Sequence, residues 1–123
     1  MTHGRDLSGL RVLLVEDQFL VADDIGTLLE GLGITIVGPH ARLATALPAA
    51  RTEALDAAVL DVNLDDGIVD PVAAELARRN IPFLFVTGYV RQDLSQQFRD
   101  RPVLAKPFTM QDMEAAISAI CGS

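Results

Sequence analysis

The stretch that decides the fold is Ala57-Ala58-Val59-Leu60-Asp61-Val62-Asn63-Leu64-Asp65-Asp66-Gly67. Apolar side chains run from Ala57 to Leu60 without a charge, the pattern of a strand covered on both faces of a parallel sheet. Asp61 interrupts the run. A carboxylate beside a core is unfavourable unless hydrogen bonds, a cation or a metal offset its lost water. The turn residues Asp65, Asp66 and Gly67 follow at once. Asp61 is therefore expected where a strand emerges from its sheet, the place where open α/β folds put their chemistry.

Working outward, strands and helices alternate. Upstream, Leu10-Arg11-Val12-Leu13-Leu14-Val15 reads as a first strand that also ends on acids, Glu16 and Asp17. Val21, Ile25, Leu28, Leu29 and Leu32 then share one helical face. Asp23 and Asp24 suit the early turns of that helix, and Gly31 and Gly33 mark its end. Ile34 to Val37 is a short β-branched strand closed by Gly38-Pro39. Leu43, Ala46, Leu47 and Ala50 outline a weaker second helix. Pro48 falls inside it, so a kink or a later start is expected.

Downstream of Asp61, a third helix is expected over residues 69–79, with Pro71 tolerated near its first turn. Pro82-Phe83-Leu84-Phe85-Val86 is a fourth strand leading into Thr87-Gly88-Tyr89. Residues 91–99 are polar, with Leu94 and Phe98 the clear apolar pair, which predicts a thin helix with a poor grip on the core. Pro102-Val103-Leu104-Ala105 is a fifth strand ending on Lys106-Pro107. Thr109, with Asp112 three residues on, can cap a last helix whose buried stripe is Met113, Ile117, Ile120 and Cys121. Five alternations with short connections predict an α/β fold: a flavodoxin-like (βα)5 doubly wound parallel sheet of strand order 2-1-3-4-5.

Length and composition bound the function. At 123 residues the chain is one domain, expected as a flexible leader over 1–9 and a folded domain over 10–123. Ten Lys plus Arg against 17 Asp plus Glu give a formal charge of −7. That balance argues against nucleic-acid and anionic-membrane partners and suits a cation site. No apolar run approaches the ~18 residues of a membrane span, and the leader lacks a signal-peptide core. The single cysteine, Cys121, cannot form an internal disulfide and suits a reducing cytoplasm. His3 and His40 have no partners at metal-ligand spacing and read as surface residues.

In a parallel sheet every strand delivers its C-terminal end to one edge. Strand one brings Glu16 and Asp17 there, strand three Asp61, strand four Thr87 and strand five Lys106. Converging carboxylates repel and raise one another's pKa. A hard cation removes that repulsion. Mg2+ takes oxygen ligands, and Asp17 and Asp61 suit direct ligation, Glu16 ligation through water, and a backbone carbonyl past Asp61 a further oxygen. An aspartate beside such an ion can attack a phosphoryl group and form an acyl phosphate. Lys106 would add a cation and Thr87 a hydrogen bond to the phosphoryl oxygens.

Glu16-Asp17, Asp61, Thr87 and Lys106-Pro107 resemble the signature of receiver domains of two-component response regulators, across nearly the whole chain. The resemblance implies that Asp61 accepts phosphate from a phosphohistidine on a sensor histidine kinase. It implies that Glu16, Asp17, Asp61 and the carbonyl of Asn63 build a Mg2+ site, with Thr87 and Lys106 on the phosphoryl group. It implies a cis peptide at Lys106–Pro107, and no enzymatic turnover beyond the domain's own phosphorylation and dephosphorylation. Val103 stands where many receivers carry an aromatic switch residue. Phe85-Val86-Thr87-Gly88-Tyr89 instead resembles the Phe-Ala-Thr-Gly-Tyr motif of mostly single-domain bacterial regulators, often paired with HWE-type kinases, with Val86 in place of the alanine. Tyr89 is then the candidate switch aromatic, and residues 88–100 are expected to order on phosphorylation.

The expected output is a contact with a downstream protein or phosphotransfer partner, over the face of helix four, strand five and helix five. An alternative keeps the fold but makes the chain a detached receiver of a hybrid kinase in a phosphorelay; the starting Met1 favours a free-standing protein. A flavin or nucleotide binder would need a Gly-rich loop where Glu16-Asp17 stands. A small-molecule phosphatase would need a substrate cavity or cap, for which no segment is evident.

Overall fold

The computed structural model describes residues 7–88 and 96–121. Strands β1 (Arg11–Val15), β2 (Thr35–His40) and β3 (Ala57–Asp61) are followed by a small hairpin of β4 (Asn63–Leu64) and β5 (Gly67–Ile68), then by β6 (Phe83–Thr87) and β7 (Val103–Ala105). The helices are α1 (Phe19–Gly31), α2 (Leu43–Thr52), α3 (Asp70–Arg78) and α4 (Met110–Cys121). The main sheet is five-stranded and parallel, in the order β2-β1-β3-β6-β7, which is the expected doubly wound arrangement.

Strand alternation sorts the core into two layers. Leu13 and Val15, Ala58 and Leu60, and Phe83 and Phe85 pack with α2 and α3. Val12 and Leu14, Ala57 and Val59, and Leu84 and Val86 pack with Ile25 and Leu29 of α1 and Met113 and Ile117 of α4. β3 and β6 are buried along their whole lengths. Each leucine removed from water in this way contributes about 1.5–3 kcal/mol. That burial holds the strand ends in register.

Several elements depart from expectation. α2 begins at Leu43, where its apolar pattern begins, and is continuous through Pro48. Pro48 forfeits the bond to the Ala44 carbonyl, but Asp66 supplies what the helix start lacks. Its carboxylate accepts the N–H groups of Leu43 at 2.7 Å and Ala44 at 3.2 Å. β2 does not close at Gly38-Pro39 but runs on to His40. The pairing with β1 shifts between Leu13 and Val15, Gly38 takes φ +117°, and Pro39 is tolerated on this edge strand because no neighbour needs its N–H. His40, expected on the surface, is half-buried at the end of that strand, and burial lowers its pKa against the pull of Glu53.

Asp23 and Asp24 lie in the second turn of α1, within the early turns expected for them. Leu7 is buried in the α1/α4 layer and the Gly9 N–H reaches the Gly33 carbonyl at 2.8 Å, so ordered packing starts ahead of the expected leader boundary. The Lys106–Pro107 peptide is cis, as expected, and so is Gly38–Pro39. The thin fourth helix is represented among the described residues by a 3-10 turn at Gln96–Phe98. Phe98 is nonetheless buried, with its ring about 6.0 Å from those of Phe83 and Phe85. His3, Leu94, Tyr89 and most of the segment expected to order on phosphorylation lie outside the described residues.

Candidate functional site

Register carries the functional side chains to one rim. Val15 pairs with Leu60, so Glu16 and Asp61 emerge side by side from neighbouring strands. Asp61 pairs with Val86, and Thr87 with Ala105, so Thr87 and Lys106 follow at the same edge. Backbone bonds fix the exits: Glu16 N–H donates to the His40 carbonyl at 3.0 Å, and Lys106 N–H to the Thr87 carbonyl at 2.8 Å. By alternation Glu16 and Asp61 share the pleat of Leu14 and Val59, on the α1/α4 side. Thr87 shares the pleat of Phe83 and Phe85, and it is buried.

The three acids meet. Glu16, Asp17 and Asp61 each offer a carboxylate oxygen within 4.8 Å of the others. Glu16 is 2% exposed and Asp61 5%. Lys106 Nζ lies 3.1 Å from Glu16 Oε2 and 3.6 Å from Asp61 Oδ2. It is the only lysine of the chain. Asn63, at the start of β4, and Asp65 line the same cavity of about 650 Å3 with Asp17, Asp61 and Lys106.

One ammonium does not balance three buried or half-buried carboxylates. The Asp61 pKa is pushed up to about 8. Burial is the largest cause, followed by the hydrogen bond and charge of Glu16 and the hydrogen bond to Asp17; Lys106 pulls the other way. Glu16 Oε1 is buried and, among the described residues, has no hydrogen-bond donor. The orphaned oxygen and the crowding that raises the Asp61 pKa both fit a cation, which would satisfy the one and relieve the other. On one octahedral Mg2+, trans oxygens lie about 4.2 Å apart and cis oxygens about 3.0 Å, so three acids within 4.8 Å of one another would draw closer on the ion, or one of them would act through a water. The cluster can hold a divalent metal.

Sequence reading missed Gln18. Its backbone N–H donates to Glu16 Oε2 at 3.1 Å, and its side-chain oxygen accepts from Lys106 Nζ at 2.8 Å. Its position directly after the acid pair was the available signal. Phe19 and Leu20, 80% and 74% exposed at the start of α1, were also unanticipated.

No family model matches the chain. Its structure superposes on the solution structure of SdrG from Sphingomonas melonis Fr1 with a TM-score of 0.80 and 44% identity, covering 94% of this chain and 98% of that one. The chain belongs to the receiver domains of response regulators. The crystal structure of the response regulator PhyR from Brucella abortus matches 96% of this receiver at 30% identity and a TM-score of 0.81, over 49% of its own chain. The phyllosphere-induced regulator PhyR of Methylorubrum extorquens is 32% identical over 94% of this receiver and 46% of its own length. The receiver thus spans about half of each PhyR. SdrG has also been solved in a BeF3-activated conformation, 43% identical with a TM-score of 0.73 over 90% of this chain and 95% of that one. As a receiver, the chain is a module of two-component signal transduction. Among its described residues no helix is long and apolar enough to cross a membrane.

Proposed function

We propose that Asp61 is the phosphoacceptor of this receiver and that a phosphohistidine on a sensor histidine kinase is its donor. The supporting observation is the placement of Asp61: nearly buried at the end of the central strand, facing two further carboxylates and the only lysine. An Asp61 carboxylate oxygen attacks phosphorus with a lone pair. The phosphorus–nitrogen bond breaks, its electron pair returns to the imidazole nitrogen, and an acyl phosphate remains on Asp61.

Glu16, Asp17, Asp61 and the backbone carbonyl of Asn63 would hold Mg2+, which when bound supplies the positive charge that the carboxylates and the phosphoryl oxygens lack. Lys106 donates to a phosphoryl oxygen from the Glu16 side. The Thr87 hydroxyl donates from the end of β6. The domain acts only on its own phosphorylation state and signals by contact with a downstream protein in the cytoplasm. The Phe85-Val86-Thr87-Gly88-Tyr89 motif favours the single-domain subgroup, an HWE-type kinase as donor and Tyr89 as the switch aromatic.

Beryllofluoride binding tests this assignment. With Mg2+, fluoride and beryllium, the parent is expected to give one slowly exchanging bound 19F signal set, and Asp61→Asn none. A bound signal retained in Asp61→Asn would place the acceptor elsewhere.

A further inference from the structure

We propose that Gln18 is a positioning residue for Lys106, holding the ammonium off Asp61 so that the acceptor oxygen stays open; this rests on the phosphoacceptor reading of Asp61. The lysine ammonium has three donors and no acceptor. Gln18 Oε1 takes one donor at 2.8 Å and Glu16 Oε2 another at 3.1 Å. Asp61 Oδ2 lies at 3.6 Å, beyond hydrogen-bond range. The residue with a neutral acceptor thus holds the ammonium more closely than the carboxylate that would do the chemistry.

The backbone explains why Gln18 is free for this task. Gln18 is the N-cap of α1, with extended φ/ψ of −89° and 111°. Ser, Thr, Asp or Asn at that position ordinarily turns its short side chain onto the first helical N–H groups. Gln18 makes no such cap bond, although its carbonyl accepts the Ala22 N–H at 2.9 Å. Its side chain instead closes a ring: Gln18 N–H to Glu16 Oε2, Glu16 Oε2 to Lys106 Nζ, Lys106 Nζ to Gln18 Oε1. The ring ties the start of α1 to the end of β7. It also fixes which way the amide faces, since lysine offers only donors.

Without the Gln18 acceptor the ammonium has a free donor, and Asp61 Oδ2 lies 3.6 Å away to receive it. A charge-assisted bond of about 2.7–2.9 Å would then form on the acceptor oxygen and would have to break before that oxygen attacks phosphorus.

The test is a double-mutant cycle. Phosphorylation of the full chain by phosphoramidate with saturating Mg2+ is followed by intact mass for the parent, Gln18→Met, Lys106→Met and the double variant, with Asp61→Asn as control. Gln18→Met is expected to lower the maximal rate roughly threefold to tenfold, what one hydrogen bond is worth, and to leave the half-saturating donor concentration unchanged. In the Lys106→Met background the same substitution is expected to change nothing. A separate reading needs no metal and no turnover. Because Lys106 is the only lysine, 15N-lysine labelling gives one ammonium signal, which Gln18→Met is expected to shift and Gln18→Glu to restore toward the parent. An unchanged or faster rate in Gln18→Met, an equal loss with and without Lys106, or an unmoved ammonium signal would each overturn the proposal. Labelling that persists in Asp61→Asn would instead overturn the phosphoacceptor reading itself. Gln18→Ala serves as the second variant if Gln18→Met does not fold.

Discussion

At the residue scale, burial and the neighbouring acids drive the metal-free Asp61 carboxyl toward its neutral form. The folded Asp61 pKa is raised from 3.8 to about 8, so folding favours the protonated carboxyl. The contribution of this group to stability is complete below about pH 4 and is lost as pH rises through about 8. In metal-free protein, the denaturation midpoint of the parent should therefore fall relative to Asp61→Asn across that window, and saturating Mg2+ should remove the difference. Parallel pH curves for the two proteins, measured by urea unfolding, would show that Asp61 is not strained by its neighbours. Mg2+ affinity should rise with pH over the same window, because ligation displaces the proton. Lys106 belongs to the same balance. Lys106→Ala should retain part of the Asp61 labelling but lose the chemical-shift changes that beryllofluoride induces in the parent along β7. A complete response in that variant would remove Lys106 from the coupling.

At the element scale, loops fix the rim as firmly as the strands do. Asp66 shows how. It was legible only as a turn residue, yet it caps α2, and these N–H bonds lower its pKa. The contact spans 23 positions in the chain, which no local pattern could reveal. The hairpin of β4 and β5 holds Asn63 next to Asp61 and is too short to show an alternating pattern. Gly38 is the other hidden joint. A Cβ there would meet the Leu14 carbonyl oxygen at 2.9 Å and the His40 nitrogen at 2.8 Å, at a φ of +117°. These are backbone atoms of the bulge that lets β2 pass, so they cannot yield cheaply. Gly38→Ala should lose about 1–3 kcal/mol of unfolding free energy, read from urea denaturation, and a neutral result would mean that the bulge adapts. By contrast, the reciprocal bonds of Thr109 and Asp112 at the start of α4, at 3.0 and 3.1 Å, were readable as a Thr-x-x-Asp pair.

At the scale of the whole molecule, the fold was legible because both faces of the sheet are apolar and each strand ends on a residue that cannot continue the core. Glu16, Asp61, Thr87 and Lys106 could be placed at one edge from chain order alone. What was not legible depended on packing between distant segments: the burial of Leu7, the continuation of α2 through Pro48, and the Gln18 link to Lys106. Phe98 is the clearest case, since the polar sequence around it hides a ring stacked edge-on with Phe83. Phe98→Ala should cost about 3–5 kcal/mol by urea unfolding, and a loss below about 1 kcal/mol would contradict that packing. The central claim is tested most directly by incubating the parent and Asp61→Asn with acetyl phosphate and Mg2+ and mapping the label by intact mass and borohydride reduction. The account predicts one phosphoryl group on the parent, reduced at Asp61, and none on Asp61→Asn; label on another residue of the parent, or on the variant, would contradict it.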